Sequence, residues 1–402
     1  MERVQGAIHP DRVAPRHRLK QRIDLRLRKY NPLEPGAQER RPIWESVMLE
    51  NELLISADSH VLEDPQLWKK RLPLSFREQA PAFPELKVGG SFQARPGGHD
   101  PKARIDEMAE DGVSGEVFYP SFGLDLYGLT DARLQEACFR VYNDWLIEYC
   151  EAAPDRLFGI AAIATYDIDH AVAELLRCKK AGFRGALIWQ APPPELPFTG
   201  DHYERLWAAA QDLEMPINMH ILTGHPYPFP RNFGPRIAHM SFRVGVNNKL
   251  LHVTNCITDL ITTGVLERYP RLKFVLVENE VSWLPFVLSQ YDKYASRGTF
   301  ASPMKMLPGE YFARQFYATF FNDAPAGWAF DHWGTHNCMW SNDYPHPNST
   351  WPNSRDVIKR DLGHLPSATR KKLLSENVCE LYKLPSLSPL AVPAGAAVIS
   401  NA

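Results

Sequence analysis

The chain has 402 residues, a formal net charge of -2, and 44% hydrophobic and 23% charged residues. This composition is typical of a folded protein with a large core, and the near-neutral charge argues against global attraction to nucleic acid or an anionic membrane. No run approaches eighteen apolar residues, the N-terminus lacks the apolar stretch of a signal peptide, and the six cysteines form no CxxC pair. The sequence therefore predicts a cytoplasmic protein with reduced thiols and no disulfide framework.

Residues 1–50 differ in composition from the rest of the chain. Seven Lys and Arg residues lie between Arg16 and Lys29, and a Pro- and Gly-containing stretch follows. The segment predicts a basic N-terminal extension, which wraps a partner subunit in a homodimer, touches an acidic surface, or is a solvated and partly disordered leader. We expect the folded domain to cover 51–385 and a C-terminal tail to cover 386–402.

From residue 53 onward, short apolar runs alternate with amphipathic stretches. The apolar runs cover 53–58, 116–120, 158–164, 185–189, 216–221, 274–278, 316–321 and 338–343. Helical periodicity covers 101–111, 134–149, 168–181, 201–213, 248–268, 281–296 and 367–381. Eight strands alternating with helices predict an α/β protein of the (β/α)8 TIM-barrel type. A doubly wound open sheet is the alternative, but the chain has neither of the Gly-rich phosphate motifs GxGxxG and GxxxxGK[ST].

Polar residues with metal-ligand chemistry fall at the ends of four of these apolar runs. Asp58 and His60 end the first run, two residues apart and therefore on one face of the strand. His220, Glu278 and Asp343 end the fifth, sixth and eighth runs. Because the chemistry of TIM barrels lies at the C-terminal ends of the strands, we expect these side chains to meet at one divalent metal site.

The predicted cluster is rich in negative charge. Asp58, Glu63, Glu278 and Asp343 together would bring four carboxylates into the barrel mouth, and one divalent ion would leave two of them uncompensated. The sequence therefore predicts either that some of these acids are protonated or outside the metal sphere, or that two ions bind. Carboxylates with histidine suit zinc, manganese or iron.

These residues carry a family resemblance. The matching segments are Asp58-Ser59-His60-Val61-Leu62-Glu63, Tyr142-Asn143-Asp144-Trp145, Pro154-Asp155-Arg156-Leu157, Gly182-Phe183-Arg184-Gly185, His220, Glu278 with Trp283-Leu284-Pro285, and Asn342-Asp343-Tyr344-Pro345-His346-Pro347. The chain from about 53 to 383 resembles the amidohydrolase superfamily, and within it the amidohydrolase-2 branch that contains aminocarboxymuconate-semialdehyde decarboxylase and aromatic-acid decarboxylases. The resemblance implies a distorted (β/α)8 barrel with a metal held by Asp58, His60, His220 and Asp343.

The chain also departs from the pattern of the superfamily. Its first-strand motif is Asp58-x-His60 instead of HxH, Glu278 occupies a position that is often histidine, and the fourth run offers no lysine that could bridge two metals. Glu278 or Glu63 could supply a bridging carboxylate instead. The resemblance therefore implies hydrolysis or decarboxylation of a small carboxylated or cyclic organic substrate, with Asp343 as ligand and proton shuttle. The alternative is a dinuclear non-heme iron monooxygenase with His60, Glu63, His220, Glu278 and Asp343 as the ligands of two irons.

Other residues complete the predicted site. His225, Tyr227 and Arg231 follow the fifth run in a proline-containing segment long enough to form a substrate wall over the barrel mouth. His346 follows Asp343 closely and could orient that carboxylate or touch the substrate. We therefore assign catalytic roles to Asp343, Glu278 and His346 as expectations.

Overall fold

Eight parallel strands form a single sheet whose spatial order follows the chain. The structure is a computed structural model and describes residues 51–83, 95–224, 244–297 and 303–390. The strands are β1 Leu54–His60, β2 Val113–Tyr119, β3 Leu157–Ala162, β4 Gly185–Ile188, β5 Ile217–His220, β6 Phe274–Val277, β7 Phe316–Phe320 and β8 Cys338–Trp340.

The first and last strands meet at a seam. The segment that follows β8 runs beside β1, where the Asp343 amide donates to the Asp58 carbonyl at 3.1 Å and the His60 amide donates to the Tyr344 carbonyl at 2.7 Å. With this seam the sheet becomes a nearly closed barrel. The prediction of a (β/α)8 TIM barrel is confirmed.

Helices connect and surround the strands. The α-helices are α1 Leu67–Arg71, α2 Pro101–Asp111, α3 Ala132–Cys150, α4 Ile168–Lys180, α5 Glu204–Asp212, α6 Lys249–Thr262, α7 Val265–Arg268, α8 Leu284–Ala295, α9 Pro308–Gln315, α10 Ala324–Ala329, α11 Ser354–Leu362, α12 Ser367–Lys371 and α13 Asn377–Tyr382. Short 3-10 helices cover Leu74–Gln79, Pro96–Gly98, Phe122–Gly128 and Asp201–Tyr203, and π-helical turns cover Val244–Asn248 and Lys372–Glu376. Among the described residues, no helix is both long enough and apolar enough to cross a membrane.

Local sequence explains where several of these helices begin and end. Asp100, Asp131 and Asp167 precede α2, α3 and α4, and each side chain accepts a hydrogen bond from a backbone amide of the first turn. Gly112 ends α2 with a φ of 73°, a left-handed conformation that lets the chain turn directly into β2. These signals place α2 directly before β2.

The observed boundaries differ from the predicted ones most clearly at two helices and two strands. The predicted helix over 248–268 is divided into α6 and α7, because Gly264 adopts a φ of 78° and breaks the helical hydrogen bonding. The predicted helix over 367–381 consists of α12, a π-helical turn and α13. The sixth and eighth apolar runs extend past the ends of their strands, so that Glu278 and Asp343 lie beyond β6 and β8. The extension 1–50 and residues 391–402 lie outside the described residues, so the predicted domain limits stay predictions.

Candidate metal centre

Four strand ends bring the predicted ligands to the same end of the barrel. Asp58 and His60 lie at the end of β1, His220 ends β5, and Glu278 directly follows β6. Asp343 lies three residues beyond β8. Glu278 and Asp343 have φ values of 57° and 53°, in the left-handed region that non-glycine residues rarely adopt. Strained backbone of this kind concentrates at functional sites, and here it occurs at two of the predicted ligands.

The side chains of these residues converge. His60 Nε2 lies 3.5 Å from Asp58 Oδ1 and 3.4 Å from Asp343 Oδ1. His220 Nε2 lies 3.2 Å from His60 Nε2 and 3.5 Å from Glu278 Oε2. Ligand atoms within 4.8 Å of one another form two groups that share His60, namely Asp58, His60 and His220, and His60, Glu278, Asp343 and His346.

The tautomers of the two histidines follow from their backbone contacts. His60 Nδ1 lies 2.8 Å from the Pro120 carbonyl, and His220 Nδ1 lies 2.8 Å from the Ile221 carbonyl. A carbonyl can only accept, so each Nδ1 carries a proton and donates. In the neutral imidazoles both Nε2 atoms then present lone pairs to the same point. This is the arrangement by which metal-binding histidines are oriented.

The surroundings of the buried carboxylates indicate whether this site fits a cation. Both carboxylate oxygens of Asp58 and both of Asp343 are buried without a hydrogen-bond partner among the described residues. Asp58 and Asp343 are themselves 0% exposed. A buried carboxylate without a partner costs several kcal/mol, by order of magnitude, unless it is neutralised. Carboxylate oxygens that form no hydrogen bond, beside two imidazole lone pairs, are the donor set of a divalent metal, so the residues fit the predicted cofactor.

Electrostatics in the cluster lead to the same conclusion. Burial, together with the neighbouring Asp343, raises the pKa of Glu278 to about 7. Burial and Asp58 raise the pKa of Asp343 well above its ordinary value. Burial lowers the pKa of His220, but the attraction of Asp58 and Glu278 outweighs it and raises this pKa to about 9. Without a metal ion the site therefore retains protons near neutral pH, because no cation neutralises its buried carboxylates.

His346 joins the cluster from the segment after β8. Its ring stacks on the His60 ring, with centroids 3.7 Å apart and planes 25° apart, and its Nδ1 lies 3.0 Å from Asp343 Oδ1. Its Nε2 lies 3.0 Å from Ser121 Oγ. Burial lowers the pKa of His346 to about 4, so the ring is neutral at physiological pH. The structure thus brings His346 beside Asp343, as the sequence predicts.

Glu63 differs from its predicted role as a metal ligand. Its two oxygens accept backbone hydrogen bonds from Ser121, Phe122 and Gly123 at 3.2, 3.0 and 2.9 Å, and it belongs to neither ligand group of the described residues. Burial nevertheless raises its pKa to about 7. The side chain holds the turn after β2, whose Ser121 contacts His346. Direct metal binding by Glu63 stays a prediction that this arrangement does not favour.

Two sets of residues complete the comparison with the sequence. The predicted substrate residues His225, Tyr227 and Arg231 lie outside the described residues. Conversely, sequence reasoning missed a layer of buried polar side chains behind the strand ends, which includes Arg104 and Glu116. A charged residue at the beginning of an otherwise apolar run, Glu116, was the only signal for this layer.

Comparisons with known proteins identify the family of the chain. A model of a family described as amidohydrolase matches residues 55–384. The chain belongs to the amidohydrolase family. A γ-resorcylate decarboxylase from Rhizobium sp. (strain MTP-10005) is 26% identical over 284 residues, which is 64% of this chain and 79% of that protein.

Solved structures resemble the fold. A dihydroxybenzoic acid decarboxylase from Polaromonas sp. JS666, with bound manganese and the inhibitor 2-nitroresorcinol, gives a TM-score of 0.63 at 22% identity over 83% of this chain and 97% of that chain. The 5-carboxyvanillate decarboxylase from Sphingomonas paucimobilis gives 0.62 at 21% identity over 83% and 99%.

Family membership and the decarboxylase relatives confirm the predicted class, a metal-dependent TIM-barrel enzyme of the hydrolase or decarboxylase type. They do not support the alternative of a diiron monooxygenase. The two ligand groups agree with the predicted divalent metal cofactor.

Proposed function

We propose that this amidohydrolase-family protein is a divalent-metal-dependent decarboxylase of small aromatic carboxylic acids. The observation that carries the proposal is the position of His60 Nε2, which lies 3.5 Å from Asp58 Oδ1, 3.4 Å from Asp343 Oδ1 and 3.2 Å from His220 Nε2. Relatives that act as γ-resorcylate decarboxylases support the choice of decarboxylation over hydrolysis.

In this proposal Asp58, His60, His220 and Asp343 hold the metal. When bound, the metal supplies a Lewis acid that polarises a substrate oxygen. We propose manganese, which suits a carboxylate-containing donor set and accompanies a structural neighbour, with zinc and iron as the other candidates. His346 orients Asp343 through the 3.0 Å contact between Nδ1 and Oδ1. Glu63 braces the turn at 121–123.

Glu278 is the proposed proton carrier. In decarboxylation the bond between the ring and the carboxyl carbon breaks, carbon dioxide leaves, and the electron pair remains on the ring carbon, which must then receive a proton. Glu278 has a pKa of about 7 and lies beside the ligand cluster, and a carboxyl group poised near neutrality can deliver this proton. The carboxylate of Glu278 then recovers its proton from solvent.

Three further expectations belong to the same proposal. His225, Tyr227 and Arg231 form the substrate wall, where Arg231 would pair with an anionic group of the substrate. The protein acts in the cytoplasm, which six free cysteines support. It forms a homodimer through the basic extension.

The test combines metal analysis with a substrate panel. Purified protein is analysed for manganese, zinc and iron, and is then incubated with 2,6-dihydroxybenzoate, 5-carboxyvanillate and benzoate while carbon dioxide release is followed. The proposal expects about one metal ion per chain and release from at least one hydroxylated benzoate.

Matched variants make the result specific. Asp343→Asn should abolish both metal binding and carbon dioxide release, whereas Asp331→Asn, at an exposed position, should change neither. A metal-loaded protein that hydrolyses esters, lactones or amides and decarboxylates none of the acids would overturn decarboxylation in favour of hydrolysis.

A further inference from the structure

A buried arginine joins the two strand ends that carry His60 and Asp343. Arg104 lies on α2 and is 0% exposed. Its Nη1 donates to the His60 carbonyl at 2.9 Å, and its Nη2 donates to the Tyr344 carbonyl at 3.3 Å. Tyr344 directly follows Asp343, so one planar guanidinium spans the seam between β1 and the segment after β8.

The orientation of this guanidinium is fixed from all sides. Its Nε donates to Glu116 Oε2 at 2.5 Å. The rings of Phe118 and Tyr344 pack against the guanidinium, with their centroids 4.8 and 4.5 Å from Arg104 Cζ. An arginine held by an ion pair and two rings presents its remaining donors in a fixed geometry, which a lysine could not reproduce.

Glu116 connects the same two strand ends through different residues. Its Oε1 lies 3.1 Å from Ser59 Oγ and accepts from Asn342 Nδ2 at 3.3 Å. Ser59 Oγ also lies 2.8 Å from Asn342 Oδ1. Ser59 precedes His60 and Asn342 precedes Asp343. Glu116 therefore holds Ser59 and Asn342, the residues before the two ligands. Arg104 holds the backbone carbonyls of His60 and Tyr344.

The location of the pair argues for positioning. A fully buried ion pair is weak evidence for stability, because removing both charges from water offsets most of their attraction. This pair lies where the barrel closes, and its bonds fix the relative position of His60 and Asp343, whose ligand atoms are 3.4 Å apart. Metal affinity depends steeply on such outer contacts, whose loss typically costs about 10- to 100-fold.

We infer that Arg104 and Glu116 are positioning residues that set the geometry of His60 and Asp343 and thereby the affinity of the metal centre. Neither side chain touches the metal ligand atoms directly. The inference rests on the proposed metal centre and is independent of which substrate is used.

The experiment compares two buried Arg–Glu pairs. Arg370 is 6% exposed and its Nε and Nη2 donate to the carboxylate of Glu52 at 2.8 to 3.0 Å; neither residue belongs to a ligand group of the described residues. Arg104→Lys and Arg370→Lys are stripped with a chelator and titrated with Mn2+ by calorimetry, and the Tm of each metal-free protein is measured. We expect Arg104→Lys to weaken Mn2+ binding about 10- to 100-fold, and Arg370→Lys to lower the Tm without changing Mn2+ binding by more than about threefold.

Unequal effects on affinity at similar Tm values support positioning, since a merely structural role would lower both Tm values and leave both affinities alike. Unchanged Mn2+ affinity in Arg104→Lys overturns the inference. If Arg104→Lys does not fold, Glu116→Gln, which keeps the side-chain shape, replaces it and should also weaken binding. If Glu116→Gln binds Mn2+ as the wild type does, the inference is equally overturned. A wild-type protein that binds none of the three metals would overturn the proposed function as well, and this failure is recognisable because it occurs without any substitution.

Discussion

The substitution Glu278→Gln tests the proposed role of Glu278 as proton carrier and its electrostatic contribution to metal binding. It removes one negative charge from the cluster while nearly keeping the shape of the side chain. Glu278 and Asp343 offer oxygens no more than 4.8 Å apart. At an effective dielectric near 20, two unit charges at about 5 Å interact by about 3 kcal/mol. Ionised Glu278 would therefore gain about 6 kcal/mol from a divalent ion and lose about 3 kcal/mol through repulsion by Asp343.

The difference predicts the size of the effect. About 3 kcal/mol corresponds to roughly 100-fold in the metal dissociation constant, so Glu278→Gln should bind Mn2+ about 100-fold more weakly than the wild type. At saturating Mn2+ the variant should still lose about 100- to 10,000-fold in decarboxylation rate, because an amide is too weak an acid to deliver a proton to the ring carbon. Calorimetric titration measures the first effect and carbon dioxide release measures the second.

Glu280→Gln is the matched control. Burial and Asp323 raise the pKa of Glu280 to about 8, so its carboxyl group is mostly neutral at pH 7 and an amide resembles it in charge and shape. Glu280 accepts a hydrogen bond from the Phe321 amide, which glutamine can also accept. Glu280→Gln should therefore retain wild-type metal affinity and rate. If Glu278→Gln binds Mn2+ and turns over as Glu280→Gln does, the electrostatic reasoning about Glu278 is refuted.

Three further outcomes are expected. His220→Ala should lose bound metal while its circular dichroism remains that of the wild type, and His332→Ala, at an exposed histidine, should keep its metal; full metal content in His220→Ala would contradict the ligand assignment. A metal ion at His220 would displace the proton of that ring, whose pKa is about 9, so the Mn2+ dissociation constant should rise by about 100-fold between pH 8 and pH 6; a value independent of pH would show that His220 does not compete for the metal. Deleting residues 1–40 should leave a folded, metal-loaded barrel with weaker self-association, as measured by sedimentation; an insoluble or metal-free product would show that the extension belongs to the core.

The sequence predicted the barrel because its evidence is local and periodic. Alternation of apolar runs with amphipathic stretches requires no knowledge of distant contacts, and parallel strands place every C-terminal end at one edge. This rule about strand ends is enough to predict the cluster of Asp58, His60, His220, Glu278 and Asp343. Boundaries were less predictable, since β6 stops at Val277 and the acid follows in a left-handed conformation.

The layer behind the ligands could not be predicted from the same rule. Arg104 lies on a helix whose other charged residues lie at the surface or are only partly buried, apart from Asp111 near its end, and nothing in its spacing distinguishes it. Its partners, His60 and Tyr344, are 44 and 240 residues away in the chain. The surroundings of Glu63 could not be predicted either, because the three consecutive backbone amides that bind it belong to the turn after β2, about 60 residues away in the chain.

In the proposed decarboxylation, the charge of the substrate would connect the metal with the proton that the reaction needs. Without metal, the pKa of Glu278 is about 7 while protonated His220 lies beside it. A bound divalent ion would add one positive charge beyond that of His220, but Asp343 would ionise as a ligand, so the two changes would nearly cancel at Glu278. An aromatic acid would bring a further carboxylate into the same cluster, which would raise the pKa of Glu278 and favour its protonated form. Binding of an anionic substrate would thus favour a protonated Glu278 before the ring carbon requires a proton, whereas a neutral ester or amide would bring no such charge.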